Sequence, residues 1–136
     1  MSEKIKDGLF KEYYENGQLR KEVVYKEGEI ILYTTFHKNG QMETRINCKN
    51  GLKDGSCEVF YSNGQLESDI MYENDIPVDG PYTIFFENGH IKEKGVFSNN
   101  GKIIKLSIRD GQPVEQEIEY DKDMNQLSDS DKSLND

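Results

Sequence analysis

The chain has 136 residues, 34% of them hydrophobic and 32% charged, and Lys plus Arg number 17 against 26 Asp plus Glu for a net charge of −9. So little apolar material argues against a thick two-layer core and for a thin, elongated repeat array. The negative balance repels nucleic-acid phosphates and anionic lipid head groups, so neither nucleic acid nor membrane is expected as a direct partner, and a basic protein is the partner the charge suits.

Met1 to Asp7 offers little to bury, and residues 1–6 read as a flexible lead-in. From there a short pattern recurs. Tyr13-Tyr14-Glu15-Asn16-Gly17-Gln18-Leu19 is followed by Phe36-His37 with Asn39-Gly40-Gln41-Met42, Phe60-Tyr61 with Asn63-Gly64-Gln65-Leu66, and Phe85-Phe86 with Asn88-Gly89-His90-Ile91. A worn copy, Asp110-Gly111-Gln112-Pro113, follows Ile108. A period of 22–25 residues marks a repeat architecture. Asn-Gly and Asp-Gly supply the two positive φ angles of a type I′ turn, so each copy reads as a β-hairpin. The spacing predicts an all-β, antiparallel meander of about five hairpins over residues 7–120, in units of about 7–28, 29–51, 52–75, 76–101 and 102–120, forming a single twisted sheet free to coil on itself.

A two-residue loop would set Glu15 opposite Gln18, Tyr14 opposite Leu19, Glu12 opposite Lys21 and Phe10 opposite Val23. One face would then carry Phe10, Tyr14, Leu19, Val23 and Tyr25, and the other Lys11, Tyr13, Arg20 and Glu22. Gly95 breaks the apolar set of the fourth unit and predicts a bulge or a close approach. The stretches Lys49 to Gly55 and Glu73 to Gly80 read as turn-rich loops between hairpins. Across those junctions Tyr25 is expected to meet Tyr33, Cys48 to meet Cys57, and Tyr72 to meet Tyr82. A pair of free thiols is the plain expectation for the cysteines, with a staple between units as the sharper one. The fifth unit reads as a C-terminal cap, and residues 121–136, rich in Asp, Ser and Asn, as a disordered acidic tail.

Gly8-Leu9-Phe10 with Tyr13-Tyr14, Asn16-Gly17-Gln18-Leu19, Glu22 and Tyr25, repeated as Asp54-Gly55 with Phe60-Tyr61 and Asn63-Gly64-Gln65-Leu66, resembles the MORN repeat variant of the bacterial YwqK family of antitoxins. The likeness runs from Asp7 to about Gly101. It implies an array of hairpins, no catalysis, and protection of a cell against a partner toxin; plain MORN repeats are instead associated with scaffolding and membrane-proximal placement. In the second unit Ile30-Ile31 stands where the pattern has Asp-Gly, and His37 replaces the second aromatic.

Neither His37 nor His90 has companions at metal-ligand spacing, no phosphate-binding glycine loop or nucleophile elbow is present, and open sheet faces do not raise carboxyl pKa values as a general acid requires. No enzyme, metal or cofactor is expected. The residues singled out for partner binding are the aromatic row Tyr13, Phe36, Phe60 and Phe85, one per unit on the charged face, with Glu43 and Glu67 as cross-strand neighbours. Aromatic residues on a rigid sheet make good interface anchors. The expectation is a non-enzymatic cytoplasmic module that inhibits a basic, nucleic-acid-acting toxin by occlusion, the alternative being a scaffold or self-associating array.

Overall fold

The computed structural model describes residues 7–99, 101–109, 111–114, 118–120 and 126. The expected lead-in, residues 1–6, lies outside them, as does the expected tail apart from Gln126. Two compact units divide the chain, Met1–Ile76 and Pro77–Asp136. The first unit holds β1 (Gly8–Tyr13), β2 (Leu19–Lys26), β3 (Glu29–Phe36), β4 (Met42–Lys49), β5 (Leu52–Phe60) and β6 (Leu66–Glu73), with β7 (Ile76–Pro77) on the boundary. The second holds β8 (Gly80–Phe85), β9 (Ile91–Ser98), β10 (Gly101–Arg109), β11 (Gln112–Val114) and β12 (Ile118–Tyr120).

The all-β antiparallel meander is as expected, but its hydrogen bonding is divided: β1 to β7 pair in sequence as one sheet, and β8 to β11 as another, with β12 also on β10. Strand pairing therefore does not run as one sheet through all five units. Between β6 and β8 the chain spends Ile76–Pro77 as a two-residue strand, and Pro77 has no N–H to continue a ladder.

Pairing in the first sheet builds two rows of opposite character. Phe10↔Val23↔Tyr33↔Ile46↔Cys57↔Ile70 runs through β1 to β6 on one face. One residue along, and so on the other face, runs Lys11↔Glu22↔Thr34↔Arg45↔Glu58↔Asp69. Val23, 2% exposed, and Cys57 lie at the buried positions of the apolar row. Arg45 and Glu58 in the charged row form an ion pair at 3.7 Å. In the second sheet Tyr82 pairs with Gly95, and Gly95 in turn with Ile104. Among the described residues of that unit, Tyr82 and Ile104 are the buried large apolar ones.

Gly95 fulfils its expectation. A Cβ at that position would lie 2.2 Å from the Ile103 carbonyl oxygen and 2.7 Å from the Tyr82 hydroxyl, and the β9–β10 register shifts next to it, between Ile104 and Leu106. The tyrosine ring occupies the space a side chain would need. It stacks at 4.5 Å on Phe97 and donates its hydroxyl to Glu93 Oε2 at 2.7 Å, an oxygen that also receives Lys102 Nζ at 3.3 Å.

The junction pairs differ from expectation. Tyr25 pairs with Ile30 while Val23 meets Tyr33; Cys57 pairs with Ile46 and Cys48 with Lys53; Tyr72 pairs with Gly55 and Tyr82 with Gly95. At the third junction Tyr72 and Tyr82 fall in strands of different sheets, and at the second the expected loop is far shorter. β5 begins at Leu52, so Asn50-Gly51 alone links it to β4. Both cysteines are free thiols, and burial, the largest influence on each, pushes both pKa values up.

Candidate partner-binding surface

Each recurring Asn-Gly forms a turn other than the expected one. Gly17, Gly40, Gly64 and Gly89 have φ near +90°, but Asn16, Asn39, Asn63 and Asn88 are not in the positive region a type I′ turn demands. Instead Gly17 N–H donates to the Tyr14 carbonyl at 3.0 Å and Tyr14 N–H to the Gln18 carbonyl at 2.8 Å, which closes a three-residue loop of Glu15, Asn16 and Gly17. His37 with Gln41, Tyr61 with Gln65 and Phe86 with His90 repeat it. The type I′ signature sits at the opposite ends of the strands, in Glu27-Gly28 (φ 51° and 82°), Asn50-Gly51 (52° and 79°) and Asn74-Asp75 (49° and 69°).

A three-residue loop moves the register by one near the turn, so Tyr13 lies opposite Leu19, where Tyr14 was expected. A one-residue bulge then restores the register, and Glu12↔Lys21 and Phe10↔Val23 stand as expected. The same shift recurs at Thr35/Phe36, Val59/Phe60 and Ile84/Phe85. The inserted residues are Arg20, Glu43, Glu67 and Lys92, and Glu43 and Glu67 are among the residues expected to lie opposite the aromatic row. Leu19, Met42, Leu66 and Ile91 take those opposing places instead. Glu43 and Glu67 are therefore bulge residues, and a bulge re-aims its side chain.

The turns are tied to one another by side chains. Asn16 Oδ1 accepts Gln18 N–H at 2.9 Å while its Nδ2 donates to the Lys38 carbonyl of the next turn at 3.1 Å. Asn39 does the same with Gln41 N–H at 2.9 Å and the Ser62 carbonyl at 2.6 Å. Tyr14 donates its hydroxyl to the Phe36 carbonyl at 2.6 Å, and His37 Nε2 meets the Phe60 carbonyl at 2.8 Å. His37 thus performs for the second unit what Tyr14 performs for the first, which keeps that hairpin regular despite its missing aromatic. Gln18 and Gln41 place their amide oxygens over the next turn glycines, Gly40 and Gly64. At the far ends, Asp7 Oδ1 accepts Glu27 N–H at 2.9 Å, and Asp54 Oδ2 accepts Asn74 N–H at 3.4 Å.

On this clasped column the expected site residues are unequally presented. Tyr13 is 58% exposed, whereas Phe36, Phe60 and Phe85 are half-buried, as are Glu43 and Glu67. Phe85 belongs to the second unit and the others to the first. Glu43 accepts Thr35 Oγ1 at 3.0 Å and lies 3.6 Å from His37 Nδ1. Sequence reasoning missed the cleft beside the first turn. It has a volume of about 530 Å³ and is lined by Tyr13, Tyr14, Glu15, Asn16, Arg20 and Lys38. A shallower hollow of about 340 Å³ shares Tyr14 and Arg20 with it and reaches Glu43. The signal was the bulge, invisible while the loop was counted as two residues. Among the described residues no group of three or more His, Cys, Asp or Glu is placed to hold a metal ion, and no helix is long and apolar enough to cross a membrane.

Within the repeat, the Asn of the Asn-Gly-x turn, the residue before the turn and the Asp at the strand start each tie one hairpin end to another. Three segments, residues 6–27, 53–74 and 78–99, match the MORN repeat variant. No curated protein and no solved structure gives a significant match to the chain. The matched MORN-variant segments cover the first, third and fourth hairpins. The second, which lacks Asp-Gly at its start, falls outside them, yet it is held in the same column by Asn39 and His37.

Proposed function

We propose that this MORN-variant repeat protein is a non-enzymatic binding module of the antitoxin or immunity kind, which acts in the cytoplasm and inhibits a basic protein partner by covering its active surface. The observation that carries the reading is the register of the turn column. At the same place in successive hairpins of the first unit it sets an aromatic, Tyr13, Phe36 or Phe60, beside a bulged polar residue, Arg20, Glu43 or Glu67. Side-chain clasps hold those positions in place, so little order has to be gained on binding. Tyr and Arg are the residue types that anchor interfaces, and both are open at the first turn, with Arg20 52% exposed and paired to Glu12 at 2.8 Å. Net charge −9 would steer a cationic partner toward the surface.

The test is recovery of the partner from the native source with the intact protein, Phe60→Ala, and the double variant Glu43→Gln, Glu67→Gln, each checked for folding by circular dichroism. The reading expects at least tenfold weaker capture of one shared protein by both variants. Equal capture by folded variants would sink it. A scaffold role in the manner of plain MORN repeats is the second reading, favoured by the repeat match itself. Pelleting with phosphatidylserine vesicles separates the two, because retention on anionic vesicles contradicts an acidic module built for a basic protein.

A further inference from the structure

We infer that the outer edge of β1 is an interface between two copies of this chain, paired antiparallel about a two-fold axis at Phe10. No described strand pairs with that edge. Of the large apolar side chains that stand exposed, two fall within the stretch Gly8 to Glu12 of this edge: Leu9 at 53% and Phe10 at 42%. The next apolar position in the same row, Val23, is 2% exposed because β3 flanks it.

Symmetry restricts how two such edges can meet. A two-fold axis that joins edge to edge stands perpendicular to the sheet, so each face continues into the same face of the copy and paired residues have the same parity. One residue then lies opposite its own copy. Centring on Lys11 or Glu12 sets like charges against each other, which is destabilising. Centring on Phe10 sets ring against ring, Leu9 against Lys11 of the copy, and Gly8 against Glu12 of the copy, and brings no like charges together. The lysine stem then covers the leucine. In this register the apolar row Ile70, Cys57, Ile46, Tyr33, Val23, Phe10 passes through the axis into the same row of the second molecule. Lys11 and Glu12, at a free edge where charges discourage pairing, exclude the registers centred on themselves. Centring on Leu9 brings no like charges together, but it sets Phe10 against Gly8 of the copy and breaks the apolar row, so the Phe10 register is the one that continues it. The inference does not depend on the toxin-binding reading, and it leaves Tyr13 and the turn column free.

One five-residue ladder is small beside the ~1,600 Å² of a standard interface, so the equilibrium belongs in the micromolar range. Sedimentation equilibrium of the full chain should show monomer and dimer exchanging, and Phe10→Glu, folded by circular dichroism, should weaken dimerisation at least tenfold. Position is read by single cysteines in a Cys48→Ala, Cys57→Ala background. Phe10→Cys should cross-link to a disulfide dimer under diamide, and Leu9→Cys and Lys11→Cys should not, because only directly opposed Cα atoms fall within disulfide reach. A purely monomeric chain up to roughly 100 μM, dimerisation unchanged by Phe10→Glu, or preferential cross-linking at position 11 would each overturn the proposal.

Discussion

Gly95 and Glu27 show how much single residues carry here. Gly95 is the seat of the buried Tyr82 ring, so Gly95→Ala forces a methyl into the Ile103 carbonyl and the tyrosine. Urea denaturation should register a loss of at least about 2 kcal/mol, at the upper part of the overpacking range. Ser107, whose buried Oγ has no hydrogen-bond partner, behaves oppositely. Ser107→Ala should be neutral or stabilising by up to ~1 kcal/mol, since an unmet hydroxyl is removed with little lost volume. Glu27 holds φ at +51°, where a non-glycine residue other than Asn or Asp is strained. Glu27→Asn should raise stability by about 1 kcal/mol, whereas Asn16→Gly, at a negative φ, should not. The cysteines set a pH dependence. Burial raises both thiol pKa values, so the unfolded thiols ionise first, and stability falls as pH climbs through their unfolded value. Alkylation by iodoacetamide should accordingly still be accelerating above pH 9, the ordinary thiol value.

At the level of the hairpin, the fold was legible in the sequence for a reason that hid part of the site. Counting Asn-Gly as a two-residue loop gives the long-range register Phe10↔Val23, and that register is correct. It is correct because two irregularities cancel: the loop has three residues, and Arg20 is inserted one step later. The alternation of Phe10, Val23, Tyr33 and Ile46 reads through both. The local consequences do not cancel, and Glu43 and Glu67 were assigned the wrong neighbours. Nothing in the dipeptide distinguishes the two turns, because the choice lies in the Asn side chain. Its Oδ1 holds the residue after the glycine, and its Nδ2 reaches a carbonyl in the next repeat, a partner more than twenty residues away. Asn39→Ala removes two hydrogen bonds and should cost about 1–2 kcal/mol in chemical denaturation. Asn39→Asp keeps the acceptor but loses the donor and should fall between. Equal stability of all three proteins would show that the clasp contributes nothing.

Over the whole chain, the period of 22–25 residues foretold a hairpin array, while the break in strand pairing at Ile76–Pro77 was not foretold, because Pro77 lay in a stretch already read as loop. Each sheet stacks strands edge to edge without helices, so stability is spread over neighbouring pairs and the turn column sits at one end of the strands in the first unit. That arrangement converts a repeated sequence into a repeated surface: aromatic, bulge, clasp. If a basic partner is drawn to it by charge, the association rate should fall steeply with added salt while the dissociation rate changes little, which stopped-flow measurement would resolve. The most direct measurement of whether the clasped column is the binding surface is hydrogen–deuterium exchange of the full chain with and without its captured partner. Protection concentrated in residues 13–20, 36–43 and 60–67 is the predicted result. Protection confined to the charged row of Glu22, Thr34, Arg45 and Glu58, or absent from the first unit altogether, would contradict it.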